Sequence, residues 1–540
     1  MVRGLNRRVS VPHYPPTMKA FLRQSGLPVL TGILLGISFP SWHIYPLAFV
    51  ALVPLLIDVR KTGPARTARQ FFLAGTVFYL ILLHWLATNV YWAGGWALWG
   101  YVGLSLFMAA YWAVAGWAWS LLRRNLPFPL ASLALAALWT TMEFLQARLF
   151  TGFGWGAIAY GVAADRWLLQ WAAVGGEGLI AFIVVWFNVL LARTITEPRH
   201  RWLRLATALV VLVASHAGGA WLLHPAQYGA HPLKVGVLQA DFPLEMKWDP
   251  EYKVDMVQNS AEKSEWMARN LGADFIVWPE SLVMGDPLDE PELGKILSNM
   301  AVQSRCTYFV GSVRDSKDNW EGYNSSFLIE PNGTIGQHYD KIHLAPFGEY
   351  VPLGHFLPFI QKVVPAIGSI ESGTQPKVFR LDGRRFGPLI CFEVLFAPMA
   401  ETLRSMGANF LVVITNLGWF GASAAIPQEL EIARVRAVET RLPIVQAANS
   451  GISGIFDPYG RFSVVDCWKG ENGTYDRAAP GIQPDQVIMH RMFGVFPLAE
   501  AAPRFVPHGA VVFPWIALVI TVLFLAVAKW AGRSSHPATT

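Results

Sequence analysis

Residues 385–396 read RFGPLICFEVLF, an apolar run of strand type that ends on Cys391, one of only three cysteines in 540 residues. Whether that thiol is core filling, half of a disulfide or a nucleophile depends on what surrounds it. Working outward, PMAETLRSMGA (398–408) has helical periodicity and NFLVVITN (409–416) is again strand-like. ELEIARVRAVETR (429–441) reads as a helix, and PIVQAANSGISGIFDPYGRF (443–462) as two more strands. Upstream, KVGVLQAD (234–241), DFIVWPES (274–281) and TYFVGSV (307–313) are strands. PEYKVDMVQNSAEKSEWMARNLG (250–272), closed by Gly272, and PELGKILSNMAVQSR (291–305) are helices. NSSFLIEPNGTIGQHYDKIHL (324–344) holds two strands about a Pro-Asn-Gly turn. Strands alternating with helices specify an α/β layer fold, and about 260 residues are enough for one large core.

The flanks are of another kind. Hydrophobic residues make up 53% of the chain and charged residues 15%, with 23 tryptophans. An average soluble domain carries about 25% charged residues, so the composition points to an integral membrane protein. The +6 net charge comes from short basic blocks between apolar runs and gives no sign of a nucleic-acid partner. Neither a disulfide framework nor metal-type Cys/His spacing is present, and no glycine-rich phosphate loop opens a helix, so no metal and no cofactor are expected.

A bilayer core of about 30 Å needs roughly 20 apolar residues as helix. About eight stretches qualify: 27–40, 43–59, 71–92, 96–122, 129–145, 167–192, 205–223 and 510–528. Basic residues alternate between the connecting loops. Arg60, Lys61, Arg66 and Arg69 follow the second stretch, Arg123 and Arg124 the fourth, and Arg193, Arg199, Arg201 and Arg204 the sixth. The intervening loops carry few or none. The positive-inside rule then places both termini in the cytoplasm. The expected organisation is a transmembrane bundle over 1–223, an external domain over 224–509, and a final span with a short tail over 510–540. Glu143 and Glu177 lie within or near apolar stretches, as functional carboxylates or as helix–helix hydrogen-bonding groups.

In α/β sheets functional groups gather where strands finish. Glu280 ends FIVWPE, Lys341 follows GQHYD and Cys391 ends GPLIC. A thiol nucleophile, a carboxylate to take its proton and an ammonium beside the tetrahedral oxyanion together suit acyl transfer. His343 offers a rival Cys–His pairing. Cys306 and Cys467 read as structural. Phe347, Trp419 and Phe420 are candidates for flaps over an acyl chain, or for ordinary aromatic packing.

The ordered set WPE, YDKIHLAPFGEYVP (339–352) and GPLICFE resembles the nitrilase superfamily. Joined to about seven spans before and one after, the chain resembles the apolipoprotein N-acyltransferases over nearly its whole length. That resemblance implies a membrane α-helical bundle carrying a nitrilase-like αββα sandwich. It implies a Glu280–Lys341–Cys391 triad, with Cys391 as nucleophile, Glu280 as general base and Lys341 as oxyanion stabiliser. It implies a two-stage transfer without cofactor. The donor is a glycerophospholipid and the acceptor the N-terminal amine of a diacylated apolipoprotein. The enzyme would be a monomer in the bacterial inner membrane with its catalytic domain in the periplasm. Glu349, Glu393, Trp248 and, through WFG, Trp419 match further family positions. Three positions depart from the family: Phe392 stands where Tyr is frequent, Leu417 where Asp is expected and Glu429 where His is usual. These leave the acceptor open. A membrane-anchored amidase using water, or a binding module that kept the fold, are the other readings.

Overall fold

The structure is a computed structural model describing residues 18–89, 94–315, 322–346, 348–350, 370–464, 467–469, 474–476, 492–504 and 506–534. The membrane part is built from α1 (Met18–Gly36), α2 (Pro64–Leu82), α3 (Trp96–Asn125), α4 (Phe128–Gln146), α5 (Ala172–Thr196), α6 (Arg201–Leu222) and a C-terminal helix, Gly509–Ser534. Five helical stretches are long and apolar enough to cross a bilayer: 97–125, 128–146, 168–196, 201–222 and 509–531. The expected span at 43–59 is not one helix. Val53–Asp58 is a short α-helix between 3₁₀ turns at Tyr45–Phe49 and Val59–Lys61, because Pro46 and Pro54 each remove a backbone donor. The expected span at 71–92 ends as a helix at Leu82 and continues as a 3₁₀ turn. The C-terminal helix packs against α4, with a Thr141–Thr521 hydroxyl pair at 3.0 Å and Phe144 edge-on to Trp515.

The remaining chain forms two sheets. The first contains β1 (Lys234–Gln239), β2 (Phe275–Val277), β3 (Thr307–Asp315), β4 (Gly322–Ile329), β5 (Ile335–Asp340) and the short β6 (Ile370–Glu371) on β4. The second contains β7 (Phe379–Leu381), β8 (Arg384–Ile390), β9 (Phe410–Thr415), β10 (Ile444–Ala448), β11 (Gly454–Phe456) and β12 (Phe462–Val464). The chain then returns to the first sheet as β13 (Cys467–Lys469), β14 (Thr474–Asp476) and β15 (Met492–Pro497), the last antiparallel to β1. Sequence reading missed this return. Strands β1, β2 and β3 run parallel, as do β8, β9 and β10. Val235, Val237, Phe275 and Phe309 of the first sheet meet Phe386, Phe410, Val412 and Val445 of the second in one buried core.

Helices α7 (Lys253–Trp266) and α8 (Pro291–Ser304) cover the outer face of the first sheet. Helices α9 (Ala397–Ser405) and α10 (Ala425–Thr440) cover the second sheet and share a continuous core with the bundle. The layers are therefore α7/α8, sheet, sheet, α9/α10, with the last layer lying on the membrane helices. With the Gly509–Ser534 helix labelled α11, every helix of eight residues or more among the described residues has its place.

Helix α10 is the joint. All of its residues except Arg434 are buried, although Gln428, Glu429, Glu431, Arg436 and Glu439 are polar. Burial of such groups requires partners. The Gln428 amide accepts from the indole N–H groups of Trp85 and Trp155, at 3.0 and 2.7 Å, and donates to the carbonyls of Pro40 and Leu82. Arg436 binds Glu439, Glu177 and the Tyr160 hydroxyl. The Glu177 N–H in turn donates to Glu439 at 2.7 Å. That bond is possible because α5 breaks at Gly175–Gly176, where Gly176 takes φ 66° and a Cβ would sit 2.6 Å from the Ala510 backbone.

Candidate active site

The three strand-end residues converge, although two strands end earlier than their sequences imply. Strand β2 stops at Val277, and Trp278–Val283 runs on alongside β3 through Trp278 N–H to Phe309 and Val283 N–H to Gly311 carbonyl bonds. Only glycine fits at 311, since a Cβ there would lie 2.3 Å from the Pro279 carbonyl oxygen. This close approach fixes Glu280 at the sheet end. Lys341 follows β5, its N–H bonded to the Asn324 carbonyl at 2.8 Å. Strand β8 stops at Ile390, so the tail of RFGPLICFEVLF is a 3₁₀ turn, Cys391–Leu395. Cys391 itself adopts φ 50°, a left-handed conformation that a non-glycine residue holds only when its surroundings impose it.

The Lys341 ammonium is 1% exposed and sits 3.3 Å from Glu280 Oε1 and 2.9 Å from the Glu349 carboxylate. Burial alone would depress its pKa. The charges of Glu349 and Glu280 override burial and hold it well above the ordinary lysine range. Asn324, on β4, donates its side-chain amide to both carboxylates, at 2.7 and 2.8 Å. Glu349 also accepts from the Ala345 N–H at 2.7 Å. The buried Lys247 donates to the Glu280 carbonyl at 3.1 Å, and burial pushes its own pKa down to about 8. Burial and then Glu280 raise the Cys391 thiol well above its ordinary value, while Lys341 and a Thr415 hydrogen bond pull it back.

Glu393 is fully buried and is a brace. It accepts from the Tyr339 hydroxyl and from the N–H groups of Ile342, His343 and Ile390. One carboxylate thus ties the turn that carries Cys391 to the segment that carries Lys341. Burial lifts it to about 7. The His343 ring stacks on Phe396 at 4.1 Å, and no hydrogen bond joins it to Cys391 among the described residues. Glu429 is 1% exposed, and Thr415 lies between it and Cys391, 2.9 Å from Glu429 Oε1. Its Oε2 is buried with no partner among the described residues, and burial raises its carboxyl to about 8.

Phe392 stacks on Phe153 of the bundle at 6.4 Å, and Phe420 packs edge-on to Trp85 at 4.6 Å. The thiol therefore stands where the domain meets the membrane helices. Trp248, half exposed, faces Trp419 at 5.9 Å. Phe347 lies outside the described residues. Leu417 is buried and opens a 3₁₀ turn after β9. Cys306 is buried with a free thiol, and the Cys467 side chain lies outside the described residues. Sequence reading did not find Asn324, Thr415 or Lys247. Nothing in the phrases GYNSS or VVITN marks their polar groups as facing a lysine or a thiol from other strands.

Among the described residues no cluster of His, Cys, Asp or Glu has the form of a metal site. What the geometry offers is a strained thiol, an ammonium locked between carboxylates, and an aromatic wall shared with apolar helices.

Residues 31–190 match the apolipoprotein N-acyltransferase N-terminal domain, and residues 234–476 match the carbon-nitrogen hydrolase domain. The apolipoprotein N-acyltransferase of Geobacter metallireducens is 34% identical over 467 residues, 84% of this chain and 88% of the relative. That of Gloeobacter violaceus is 30% identical over 453 residues, covering 81% and 84%. Among solved structures, an amidase from Nesterenkonia sp. aligns at 18% identity and a TM-score of 0.35, over 51% of this chain and 93% of its own.

Proposed function

The chain belongs to the apolipoprotein N-acyltransferase family, and from that premise we propose that it transfers a fatty acyl chain from a membrane glycerophospholipid to the N-terminal amine of an S-diacylglyceryl-cysteine apolipoprotein. The observation that carries the proposal is Lys341, held charged between Glu280 and Glu349 and acting on a thiol at φ 50°.

In the first stage Glu280 takes the Cys391 proton and the sulfur attacks the ester carbonyl carbon. The developing oxyanion is balanced by the Lys341 ammonium. The tetrahedral species collapses to a thioester, and the lysophospholipid alkoxide leaves with the proton from Glu280. In the second stage the acceptor amine attacks the thioester and gives its proton to Glu280. The amide forms and the sulfur leaves, to be reprotonated. Glu349 and Asn324 position Lys341 and Glu280 rather than touch substrate.

Thr415 adds a positioning element. Its hydroxyl has one proton. It can donate to the Cys391 sulfur only if Glu429 donates to it in turn, which requires Glu429 to be protonated. The buried, unpartnered Oε2 and the raised carboxyl support that state.

Membrane embedding suits both substrates. Extracting a lipid chain costs about 0.8 kcal/mol per CH₂, and a site against apolar helices avoids it. We place the protein as a multi-pass monomer in the bacterial inner membrane with the sandwich on the periplasmic face. The placement of Arg60, Arg123 and Arg193 together at one end of the bundle, with α10 against the other, supports that orientation. Trp248 and Trp419 are proposed to contact the acyl donor or acceptor.

The test is intact-protein mass after incubation with phospholipid in detergent, for wild type and Cys391→Ser. A hydroxylamine-labile acyl increment on wild type alone, discharged onto a diacylglyceryl-cysteine peptide, is the expected result. Discharge to free fatty acid with no need of peptide would favour the hydrolase reading, with water as the acceptor. No increment would leave only the binding module.

A further inference from the structure

At the end of the bundle remote from Cys391 lies a cavity of about 330 Å³ between the ends of α3 and α5 and the 3₁₀ turn Val59–Lys61. Glu177, which touches α10, and Arg193, which lines the cavity, are on one helix roughly 24 Å apart at about 1.5 Å per residue. Five cations line the cavity: Arg60, Lys61, Arg123, Arg124 and Arg193. Among the described residues no carboxylate lines it. Two acids lie nearby and cannot balance five cations: Asp58, which also feels Arg66 and Arg69 and whose buried Oδ2 has no hydrogen-bond partner among the described residues, and Glu197, which pairs with Arg193 at 2.6 Å and Arg204 at 3.3 Å.

The other partners of these cations are carbonyl and hydroxyl groups, which satisfy donors without cancelling charge. Arg60 donates to the Thr196 carbonyl at 2.7 Å. Arg123 donates to the carbonyls of Arg60 and Thr62 and to the Thr67 hydroxyl, and Arg124 to the Thr62 carbonyl at 2.9 Å. Two further donors, the Nε–H groups of Arg123 and Arg193, are buried with no acceptor among the described residues. Like charges held this closely repel one another, and buried guanidinium donors without acceptors are costly. Both conditions are relieved by one phosphate-bearing anion. The remaining wall is apolar, formed by Leu56, Trp119, Leu126 and Phe128, and the cavity opens among helices long enough to span a bilayer. A phosphate next to an apolar wall at membrane depth describes a lipid headgroup and its glycerol more closely than a free ion.

We propose that this cavity binds the headgroup of an anionic glycerophospholipid as a resident ligand, separate from the lipid consumed at Cys391. In the orientation proposed above the cavity faces the cytoplasmic leaflet; only that placement rests on the proposed function, and the site itself does not depend on the reaction.

The experiment uses the full chain carrying Cys391→Ser, so that turnover plays no part. Native mass spectrometry in detergent compares phosphatidylglycerol, phosphatidylcholine and inorganic phosphate. The expected result is one tightly retained phosphatidylglycerol, preferred over phosphatidylcholine. Binding should weaken about tenfold or more in Lys61→Gln/Arg124→Gln, which removes two exposed charges near the surface. Arg193→Gln, added separately, should weaken it again while thermal unfolding confirms a folded bundle. Retention of phosphatidylglycerol unchanged in both variants would overturn the proposal. So would equal retention of phosphatidylcholine. Displacement by equimolar inorganic phosphate would assign the cavity to a free anion and overturn the lipid.

Discussion

Helices α7 and α8 and helices α9 and α10 cover opposite faces of the same sandwich under opposite constraints. On α8 the buried residues are Leu293, Leu297, Met300 and Ala301, one stripe at helical spacing, and the other face meets water. On α10 water is replaced on one side by a sheet and on the other by membrane helices. Polar residues persist there: Gln428, Glu429, Arg436 and Glu439 each reach a partner on another element, while Glu431 pairs with Arg434 of the same helix. An outer layer needs only a pattern, whereas an inner layer needs specific pairs. The inner layer should therefore be sensitive to single substitutions that the outer layer tolerates.

The sharpest way to break the comparison is Arg436→Met. It leaves Glu177 and Glu439 facing each other without a cation and should cost about 3–5 kcal/mol, read as a lowered unfolding midpoint in detergent. An unchanged midpoint would mean that the layers do not differ. Gln428→Ala removes one amide that satisfies two indoles and two carbonyls, and should cost about 2–3 kcal/mol by the same assay.

Glu429→Gln sharpens the comparison for catalysis. In the folded chain the Glu429 carboxyl titrates at about 8, against an ordinary 4.5. Between these values the native state keeps a proton that the unfolded chain has lost, so the stability contributed by this group falls as pH rises through that window and is level above it. Thioester formation in wild type should therefore lose a component above about pH 8, as Glu429 ionises and Thr415 turns its proton away from the sulfur. Glu429→Gln should lack that component, in a single-turnover pH profile. Smallest is the control on the outer layer. Lys253→Met removes a partly exposed bond to Glu290 and should change stability by about 0–1 kcal/mol.

The same contrast explains what the sequence disclosed. The outer helices and the Pro-Asn-Gly turn were readable because solvent imposes a pattern on them, and the strands beneath because burial on both faces makes them short continuous apolar runs. Glu280, Lys341 and Cys391 were readable because each stands at or just beyond a strand end. Asn324 and Thr415 were not: each is a small polar residue inside an otherwise ordinary strand, and its meaning comes from another strand. Glu429 was visible only as a departure from the family, whereas its buried hydrogen bond to Thr415 makes it part of the thiol's surroundings. The span at 43–59 misled because apolar composition measures depth in the membrane but not continuity of the helix, which Pro46 and Pro54 interrupt.

Thr141 and Thr521 touch across 380 positions of chain, and everything that carries the thiol lies between them. A growing polypeptide thus makes α4 and α5 early and their partner α11 last. Loop closure over such a distance grows only slowly in entropic cost with length, so the delay is one of synthesis and not of thermodynamics. Until the final helix enters, Gly176 lacks the Ala510 backbone that packs against it, and the carboxylate–guanidinium joint at α10 lacks that support. The joint that ties the thiol's domain to the bundle therefore gains its last packing partner only when the final helix has been made.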